Sequence, residues 1–176
     1  YYSGGRMSVF DRDADDAIAL LDCVLQNFPN ADSSHVLAVG YSRGGQVALR
    51  LGQRDRRIRG VLDFCGMSDE WTLNGQGYMQ DLIGGKYPEP EPWDFYYHSL
   101  WEYKHGLSTV WETRAILLRS CIVYQASWLP KLQMHYGVED AAVPVHEGDR
   151  LAAVLATIPT ADFEYYRYPS GNHSIG

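Results

Sequence analysis

Residues 35–53 read HVLAVGYSRGGQVALRLGQ, and they place a serine between glycines where a hydrophobic run passes into an amphipathic segment. His35–Gly40 is short and apolar, which predicts a buried strand. The spacing over Gln46–Gln53 predicts a helix that follows the strand after a few residues. A strand that leads directly into a helix is half of a parallel strand–helix–strand unit, so this stretch predicts an α/β fold.

The same alternation continues on both sides of this stretch. Apolar spacing predicts helices at Asp13–Asn27 and Val145–Thr157, and apolar runs predict strands at Arg57–Cys65, Leu129–Tyr136 and Asp162–Tyr168. Strands that alternate with helices imply a mostly parallel sheet with helices on both faces. With 176 residues, the chain has the length of a single domain that buries a core of its own.

Residues 66–118 interrupt the alternation with a different composition. This segment is rich in Trp, Tyr, Gly and Pro, and residues 86–103 read KYPEPEPWDFYYHSLWEY. Prolines and glycines at this density break long helices and strands, so the segment predicts short helices and loops. We call residues 66–118 the aromatic insert.

Charge and hydropathy argue against two classes of partner. The net charge of −7 argues against nucleic acid, because binding to phosphates relies on clustered Lys and Arg. The basic cluster Arg54–Arg59 falls where a helix is expected to end, and cations there complement the helix dipole. No run approaches the roughly 18 apolar residues of a membrane span, so we expect no membrane partner.

Cys23, Cys65 and Cys121 form an odd and widely spaced set without a CxxC pair. Cys23 and Cys65 lie in apolar stretches, which predicts small core residues, and the pattern favours a reducing, cytoplasmic location. No two histidines have a metal-ligand spacing such as HExxH, and the GQG element at residues 75–77 lacks the strand-to-helix context of a dinucleotide site. We therefore expect neither a metal nor a cofactor.

Ser42 is the candidate nucleophile, at the centre of the sequence GYSRG at Gly40–Gly44. A serine hydroxyl is a poor nucleophile at neutral pH, and it needs a neighbouring base that a third group orients. The GxSxG pattern alone is weak evidence in a chain with 17 glycines, but here a strand precedes it and a helix follows. In that geometry the backbone N–H of Arg43 can donate to a developing oxyanion.

The two partners of such a serine follow in the order acid and then histidine. Asp140 lies in HYGVEDAAVP, just after the third predicted strand, and His173 lies in PSGNHSIG, just after the last one. The carboxyl ends of parallel strands meet at one edge of the sheet, where open α/β sheets place their active sites. Ser42, Asp140 and His173 therefore form a candidate catalytic triad, with Glu139 as a rival acid.

With these residues, the chain resembles the catalytic domain of the prolyl oligopeptidase family (peptidase family S9) and its dienelactone-hydrolase-like esterase relatives. GYSRGG is similar to the G-x-S-x-G-G of the family, residues 118–145 to its approach to the acid, and YPSGNHSIG to its histidine loop. The resemblance covers nearly the whole chain and implies an α/β-hydrolase fold. It also implies that Ser42 is the nucleophile, Asp140 the orienting acid and His173 the general base.

Two features differ from that family pattern. The first strands of the family and its HGG loop, which donates a second N–H to the oxyanion, have no counterpart here. We therefore expect the 176 residues to be the C-terminal portion of a domain whose active form has about 60 to 100 further N-terminal residues. Tyr136 stands where relatives often carry a histidine before glycine, and we expect that substitution to be structural.

The resemblance leaves the acyl group open. It implies a serine hydrolase that cleaves a peptide or an ester through an acyl-enzyme, so a serine peptidase, a carboxylesterase and a GxSxG acyltransferase are all compatible with the triad. A non-catalytic binding module with the same fold is the alternative from another class, because the oxyanion loop is missing. The expected partner is a small ester or a short peptide.

The aromatic insert lies where the resemblance places one wall of the substrate pocket. Aromatic side chains there could line a subsite for an acyl group or a proline ring, and they could equally cover the sheet. The candidate substrate contacts are Tyr41, beside the nucleophile, and four residues of the insert, Tyr78, Trp93, Tyr97 and Trp101.

Overall fold

The computed structural model of the chain describes residues 11–69 and 102–175. Helices alternate with strands in it, as the sequence predicts. None of the described helices is long and apolar enough to cross a membrane. In chain order, the elements are α1 (Asp11–Asn27), β1 (Val36–Tyr41), α2 (Arg43–Arg54), β2 (Ile58–Phe64), α3 (Val110–Ser120), a 3₁₀ helix (Ile122–Trp128), β3 (Lys131–Gly137), α4 (His146–Leu155) and β4 (Phe163–Tyr168).

The four described strands form one parallel sheet in the order β1-β2-β3-β4. Gly40 on β1 pairs with Asp63 on β2, Asp63 pairs with Met134 on β3, and Met134 pairs with Tyr165 on β4. All four strands therefore end at the same edge of the sheet, and the segments that follow them lie along that edge. This arrangement confirms the predicted α/β class and the parallel sheet.

The core lies on one face of the sheet, between the strands and helices α2 and α4. α2 packs on β1 and β2, α4 packs on β3 and β4, and the 3₁₀ helix packs on both helices. Alternate residues of the strands point into this layer, because side chains of a strand alternate between its two faces. The buried apolar residues among them include Ala38, Val61, Leu132, Met134 and Tyr136.

Strand β1 differs from the predicted buried strand. Leu37, Val39 and Tyr41 are 61%, 66% and 49% exposed, whereas Ala38 and Gly40 are buried. β1 lies at the edge of the described sheet and α2 covers one of its faces, so its side chains alternate between buried and exposed positions. The prediction of a fully buried strand is therefore wrong for β1. Within residues 11–69 and 102–175, the two helices that pack on the sheet share one face.

The bounds of several elements differ by a few residues from those predicted. α2 begins at Arg43, directly after the serine, and Leu129 precedes β3 instead of opening it. Of the aromatic insert, the structure describes residues 66–69 and 102–118, where Thr109 and Glu112 form a capping box at the start of α3. The single domain over residues 1–176 stays a prediction.

Cys23 is exposed, which contradicts its predicted place in the core, whereas Cys65 and Cys121 are buried. α1 packs mainly on α2, so one stripe of the helix is covered and Cys23 falls outside it. Apolar neighbours along the chain do not tell which side of a helix is covered. That is why the sequence suggested the core for Cys23.

Two arginines of the basic cluster Arg54–Arg59 form ion pairs within the fold. Arg54 lies in the last turn of α2, as predicted, and pairs with Asp15 of α1. Arg57 pairs with Asp22 of α1 over 2.6 Å. Exposed ion pairs of this kind contribute little to stability, but they hold the charges of the cluster against α1. Arg54 and Arg57 therefore connect α1 to the end of α2 and to the turn that follows it.

Candidate active site

Ser42 occupies a strained turn between β1 and α2, which we call the serine turn (residues 40–44). Its φ is +55° and its ψ is −124°, a backbone conformation that residues other than glycine rarely adopt. The Ser42 N–H donates to the Phe64 carbonyl at the end of β2 over 2.7 Å, and the Ser42 carbonyl accepts from the Gly45 N–H over 2.9 Å. These bonds hold the serine at the carboxyl edge of the sheet.

Asp140 lies on the loop after β3, and its two carboxylate oxygens have different partners. Oδ1 accepts from the backbone N–H groups of Ala142 and Val143, each over 2.8 Å. Oδ2 lies 2.6 Å from Nδ1 of His173. Burial alone raises the pKa of the Asp140 carboxyl, but the hydrogen bonds from His173 and from the two amides outweigh that effect and leave the pKa below its ordinary value. The carboxylate is therefore ionised and firmly oriented at neutral pH.

His173 connects the acid to the serine. Its Nε2 lies 2.9 Å from the Ser42 hydroxyl, while Nδ1 faces Asp140. With the proton on Nδ1 donated to the carboxylate, Nε2 presents its lone pair to the serine, which is the tautomer that a general base needs. The Tyr41 ring packs against the imidazole with 5.0 Å between ring centroids. The structure thus brings together the three side chains that the sequence singled out.

Two loops meet to place the acid opposite the histidine. The Val138 N–H donates to the Tyr168 carbonyl, and the Glu139 N–H donates to the Gly171 carbonyl, each over 2.9 Å. Glu139 thus holds the histidine loop through its backbone, while its side chain is exposed. Of the two candidate acids, only Asp140 reaches His173 in the described residues.

Arg43, the predicted oxyanion donor, is the first residue of α2. The first amides of a helix lack intrahelical acceptors, so a backbone N–H at this position is suited to bind an anion. Its guanidinium lies 2.6 Å from Asp13 of α1. That pair ties the serine turn to α1. The predicted contacts Tyr78, Trp93, Tyr97 and Trp101 lie outside the described residues.

Cys65 is a neighbour of the site that the sequence suggested only as a core residue. It follows β2, has a φ of +51°, and is fully buried. Its Sγ, an oxygen of Asp140 and a nitrogen of His173 lie within 4.8 Å of one another, a set of atoms that could in principle hold a metal ion. Burial raises the pKa of the Cys65 thiol to about 11, which opposes the thiolate that metal binding requires. A signal was present, because Cys65 follows its strand as Ser42 follows β1.

Glu147 of α4 anchors the segment that leaves β2. Its carboxylate accepts from the backbone N–H groups of Ser68 and Asp69 over 3.0 and 2.9 Å. Asp69 in turn pairs with Arg150 of α4. These contacts fix the start of the aromatic insert close to the acid loop, and the sequence pattern did not reveal them.

Comparison with known proteins assigns this chain to a family. The profile of the prolyl oligopeptidase family matches residues 1–176, the whole chain. No curated protein matches the chain significantly in sequence.

Solved structures with the same fold include two peptidases and a sugar hydrolase. Dipeptidyl peptidase 4 of Porphyromonas gingivalis matches with a TM-score of 0.68 at 18% identity, over 97% of this chain and 21% of that chain. A puromycin-hydrolyzing peptidase of Mycobacterium tuberculosis matches with a TM-score of 0.66 at 17% identity, over 93% and 22% of the two chains. A sugar hydrolase of Lactococcus lactis matches with a TM-score of 0.68 at 16% identity, over 98% of this chain and 59% of that chain.

These similarities differ in what they establish. The structural matches, at 16 to 18% identity, show the fold alone, which is the α/β-hydrolase fold. The chain spans 21 to 22% of the length of the two peptidases, so the activities of those whole proteins are not transferred to it. The family profile covers every residue, and it names the same family as the resemblance noted in the sequence. The chain therefore belongs to the prolyl oligopeptidase family.

Proposed function

We propose that this chain is the catalytic part of a serine hydrolase that cleaves peptide or ester bonds through an acyl-enzyme. One observation carries the proposal: Asp140, His173 and Ser42 form a continuous hydrogen-bonded chain with distances of 2.6 and 2.9 Å. A buried carboxylate that orients an imidazole next to a serine is the arrangement that acyl transfer by serine requires. Membership of the prolyl oligopeptidase family supports it.

The geometry supports the following steps. Ser42 Oγ attacks the carbonyl carbon of the substrate while His173 Nε2 takes the hydroxyl proton, and the ionised Asp140 stabilises the imidazolium. The backbone N–H of Arg43 donates to the oxyanion. When the bond to the leaving group breaks, His173 returns the proton to the leaving amine or alcohol. A water molecule, deprotonated by His173, then attacks the acyl carbon and releases the acid product and free Ser42.

We favour a peptidase over an esterase because the family is one of peptidases. Tyr41, 49% exposed and packed on His173, is in place to contact the acyl side of a substrate, and we propose that Tyr78, Trp93, Tyr97 and Trp101 add to that wall. An esterase is the second candidate. The solved structures that share this fold include a sugar hydrolase, with 59% of that chain covered, so the fold is not confined to peptidases. Cys23, Cys65 and Cys121 are free thiols, which supports the expected cytoplasmic location.

A fluorophosphonate probe tests the nucleophile. We expect the purified protein to be labelled and Ser42→Ala to lose the label. Ser34→Ala, in the exposed turn that precedes β1 and therefore at the opposite end of that strand from Ser42, is the matched control and should label as the wild type does. Absence of labelling in the wild type would favour the non-catalytic binding module. Turnover of aminoacyl p-nitroanilides against p-nitrophenyl esters then separates peptidase from esterase.

A further inference from the structure

Asp63, Tyr136 and Gly66 form a closed hydrogen-bonded group next to the serine turn. The side chains of Asp63 and Tyr136 are fully buried. The Tyr136 hydroxyl lies 2.7 Å from Asp63 Oδ2 and 2.5 Å from the carbonyl oxygen of Gly66. The group joins the end of β2 to β3 and to the loop that follows β2, and it takes no part in the catalytic steps described above.

The number of protons in this group determines the state of Asp63. The Tyr136 hydroxyl has one hydrogen, but it lies within hydrogen-bond distance of two oxygens. The carbonyl of Gly66 can only accept. Both bonds are made only if Asp63 is a neutral acid that donates to the Tyr136 oxygen while Tyr136 donates to Gly66. If Asp63 were ionised, its carboxylate and the Gly66 carbonyl would both have to accept the single hydrogen of the Tyr136 hydroxyl.

The surroundings of Asp63 also disfavour its ionised form. Burial raises the pKa of the Asp63 carboxyl to about 7, despite the opposing effects of Tyr136 and the Gly66 amide. Asp63 faces Tyr136 on β3. The other titratable groups close to these two are Cys65 after β2 and Glu147 on α4, and neither of them is a cation. Asp63 Oδ1 is buried and makes no hydrogen bond of good geometry within the described residues.

The same carboxyl packs against the first turn of α2. A Cβ atom on Gly45 or on Gly66 would lie 2.2 Å from Asp63 Oδ1, so these residues are in close contact. The residue of α2 that contacts the Asp63 carboxyl is thus Gly45, which carries no charge. Gly45 donates to the Ser42 carbonyl, and Ser42 donates to Phe64, the residue after Asp63. A shift of the Asp63 group is therefore transmitted to the nucleophile.

We propose that Asp63 is a positioning residue that works as a neutral acid. Its proton keeps the Tyr136 hydroxyl donating to the Gly66 carbonyl, and this hydrogen bond fixes the serine turn. When Asp63 loses that proton to solvent, Tyr136 turns its hydroxyl to the carboxylate and the Gly66 carbonyl loses its donor. Gly45 and Ser42 then shift with the loop, and turnover falls. The link to turnover rests on the function proposed above, whereas the protonation of Asp63 does not.

The protonation state is measured in the Ser42→Ala variant, which needs no catalysis. Infrared difference spectra between Ser42→Ala and Ser42→Ala/Asp63→Asn isolate the carboxyl band of Asp63. We expect the band of a protonated acid at about pH 5, and we expect it to disappear near pH 7, far above the ordinary range of aspartate. Its absence at pH 5 overturns the proposal, whatever the activity.

The positioning role is measured on the pH profile of kcat with a p-nitrophenyl ester. We expect the ratio of kcat at about pH 8.5 to kcat at about pH 6 to be several-fold higher in Asp63→Asn than in the wild type. An amide cannot ionise, and it still donates to Tyr136. Asp162→Asn removes an exposed acid and is the matched control, which should keep the wild-type profile.

Profiles of the same shape for the wild type and Asp63→Asn overturn the positioning role. If the wild type neither turns over the ester nor takes a fluorophosphonate label, the proposed function has failed instead. The infrared titration still decides the state of Asp63 in that case, because it uses a variant without the nucleophile.

Discussion

Ser42 Oγ and His173 Nε2 lie 2.9 Å apart, although 131 residues separate them along the chain. Ser42 follows β1 and His173 follows β4, which are the two outer strands of the described sheet. Three strand spacings amount to about 14 Å, so the histidine loop has to cross the ends of the intervening strands. It crosses on Gly137, at the end of β3, where Gly171 packs closely. The contact between these two glycines is thus a condition for the contact between Ser42 and His173.

Gly137→Ala should therefore separate His173 from Ser42. The added Cβ would lie 2.3 Å from the Gly171 carbonyl oxygen and 2.4 Å from that of Asn172, so the histidine loop has to move. A displacement of about 1 Å can reduce turnover roughly 100-fold, and we expect a loss of that size in kcat/KM.

Gly60→Ala is the control for this substitution. Its Cβ would meet the end of the Leu37 side chain at 3.1 Å, at a distance that a side chain can relieve. We expect Gly60→Ala to keep its activity and its fluorophosphonate labelling. Equal activity of Gly137→Ala and Gly60→Ala would contradict the role given to the glycine contact.

Asp140→Asn should lower kcat about 10³- to 10⁴-fold with an ester substrate. The amide can no longer hold His173 in the tautomer that leaves Nε2 free to accept the serine proton. Glu139→Gln, next along the chain, should have little effect, because the Glu139 side chain is exposed and its backbone N–H binds Gly171. A larger loss in Glu139→Gln than in Asp140→Asn would assign the acid to Glu139.

The candidate triad could be predicted because its signals are local. Ser42 has a pattern with a strand before it and a helix after it, and Asp140 and His173 each follow a strand. The choice between Asp140 and Glu139 could not be made in the same way. It depends on which side chain the loop turns inward, and the amides of Ala142 and Val143 select Asp140 by binding its Oδ1.

The limits of the sequence are clearest where a partner lies far along the chain. Asp63 was not singled out from the sequence, because its partner Tyr136 lies 73 residues away. The hydrophobic run of β1 predicted burial on both faces. Leu37 and Val39 are exposed instead, because the position of a strand within its sheet is not encoded in its own residues. Contacts between segments that are distant in sequence decide both the partner of Asp63 and the exposure of β1.

Glu147→Gln should lower the free energy of unfolding by about 1 to 3 kcal/mol. The buried carboxylate of Glu147 accepts from the amides of Ser68 and Asp69, and an amide side chain would accept with a neutral oxygen and turn its NH₂ group toward other buried atoms. Urea unfolding measures the change. Glu164→Gln, on the exposed side of β4, is the control and should remain close to the wild type. A similar loss in both variants would contradict a special role for Glu147.

Asp63 should make the free energy of unfolding fall as the pH rises from about 4 to about 7. Its pKa is about 7 in the folded chain, against 3.8 for an ordinary aspartate, so in this window the folded state holds a proton that the unfolded state has lost. The state that binds more protons is favoured at low pH, and the slope reaches about 1.4 kcal/mol per pH unit. The Asp63→Asn variant should lack this contribution.

Urea unfolding of the wild type and Asp63→Asn at several pH values between 4 and 8 measures that difference. Asp140, whose pKa is lowered in the fold, contributes a slope of the opposite sign at lower pH. It does so equally in both proteins, so the difference between them isolates Asp63. We expect Asp63→Asn to gain stability relative to the wild type with each step in pH up to about 7, and to gain no more above it. Parallel curves over the whole range would show that Asp63 is already ionised in the folded protein at pH 4.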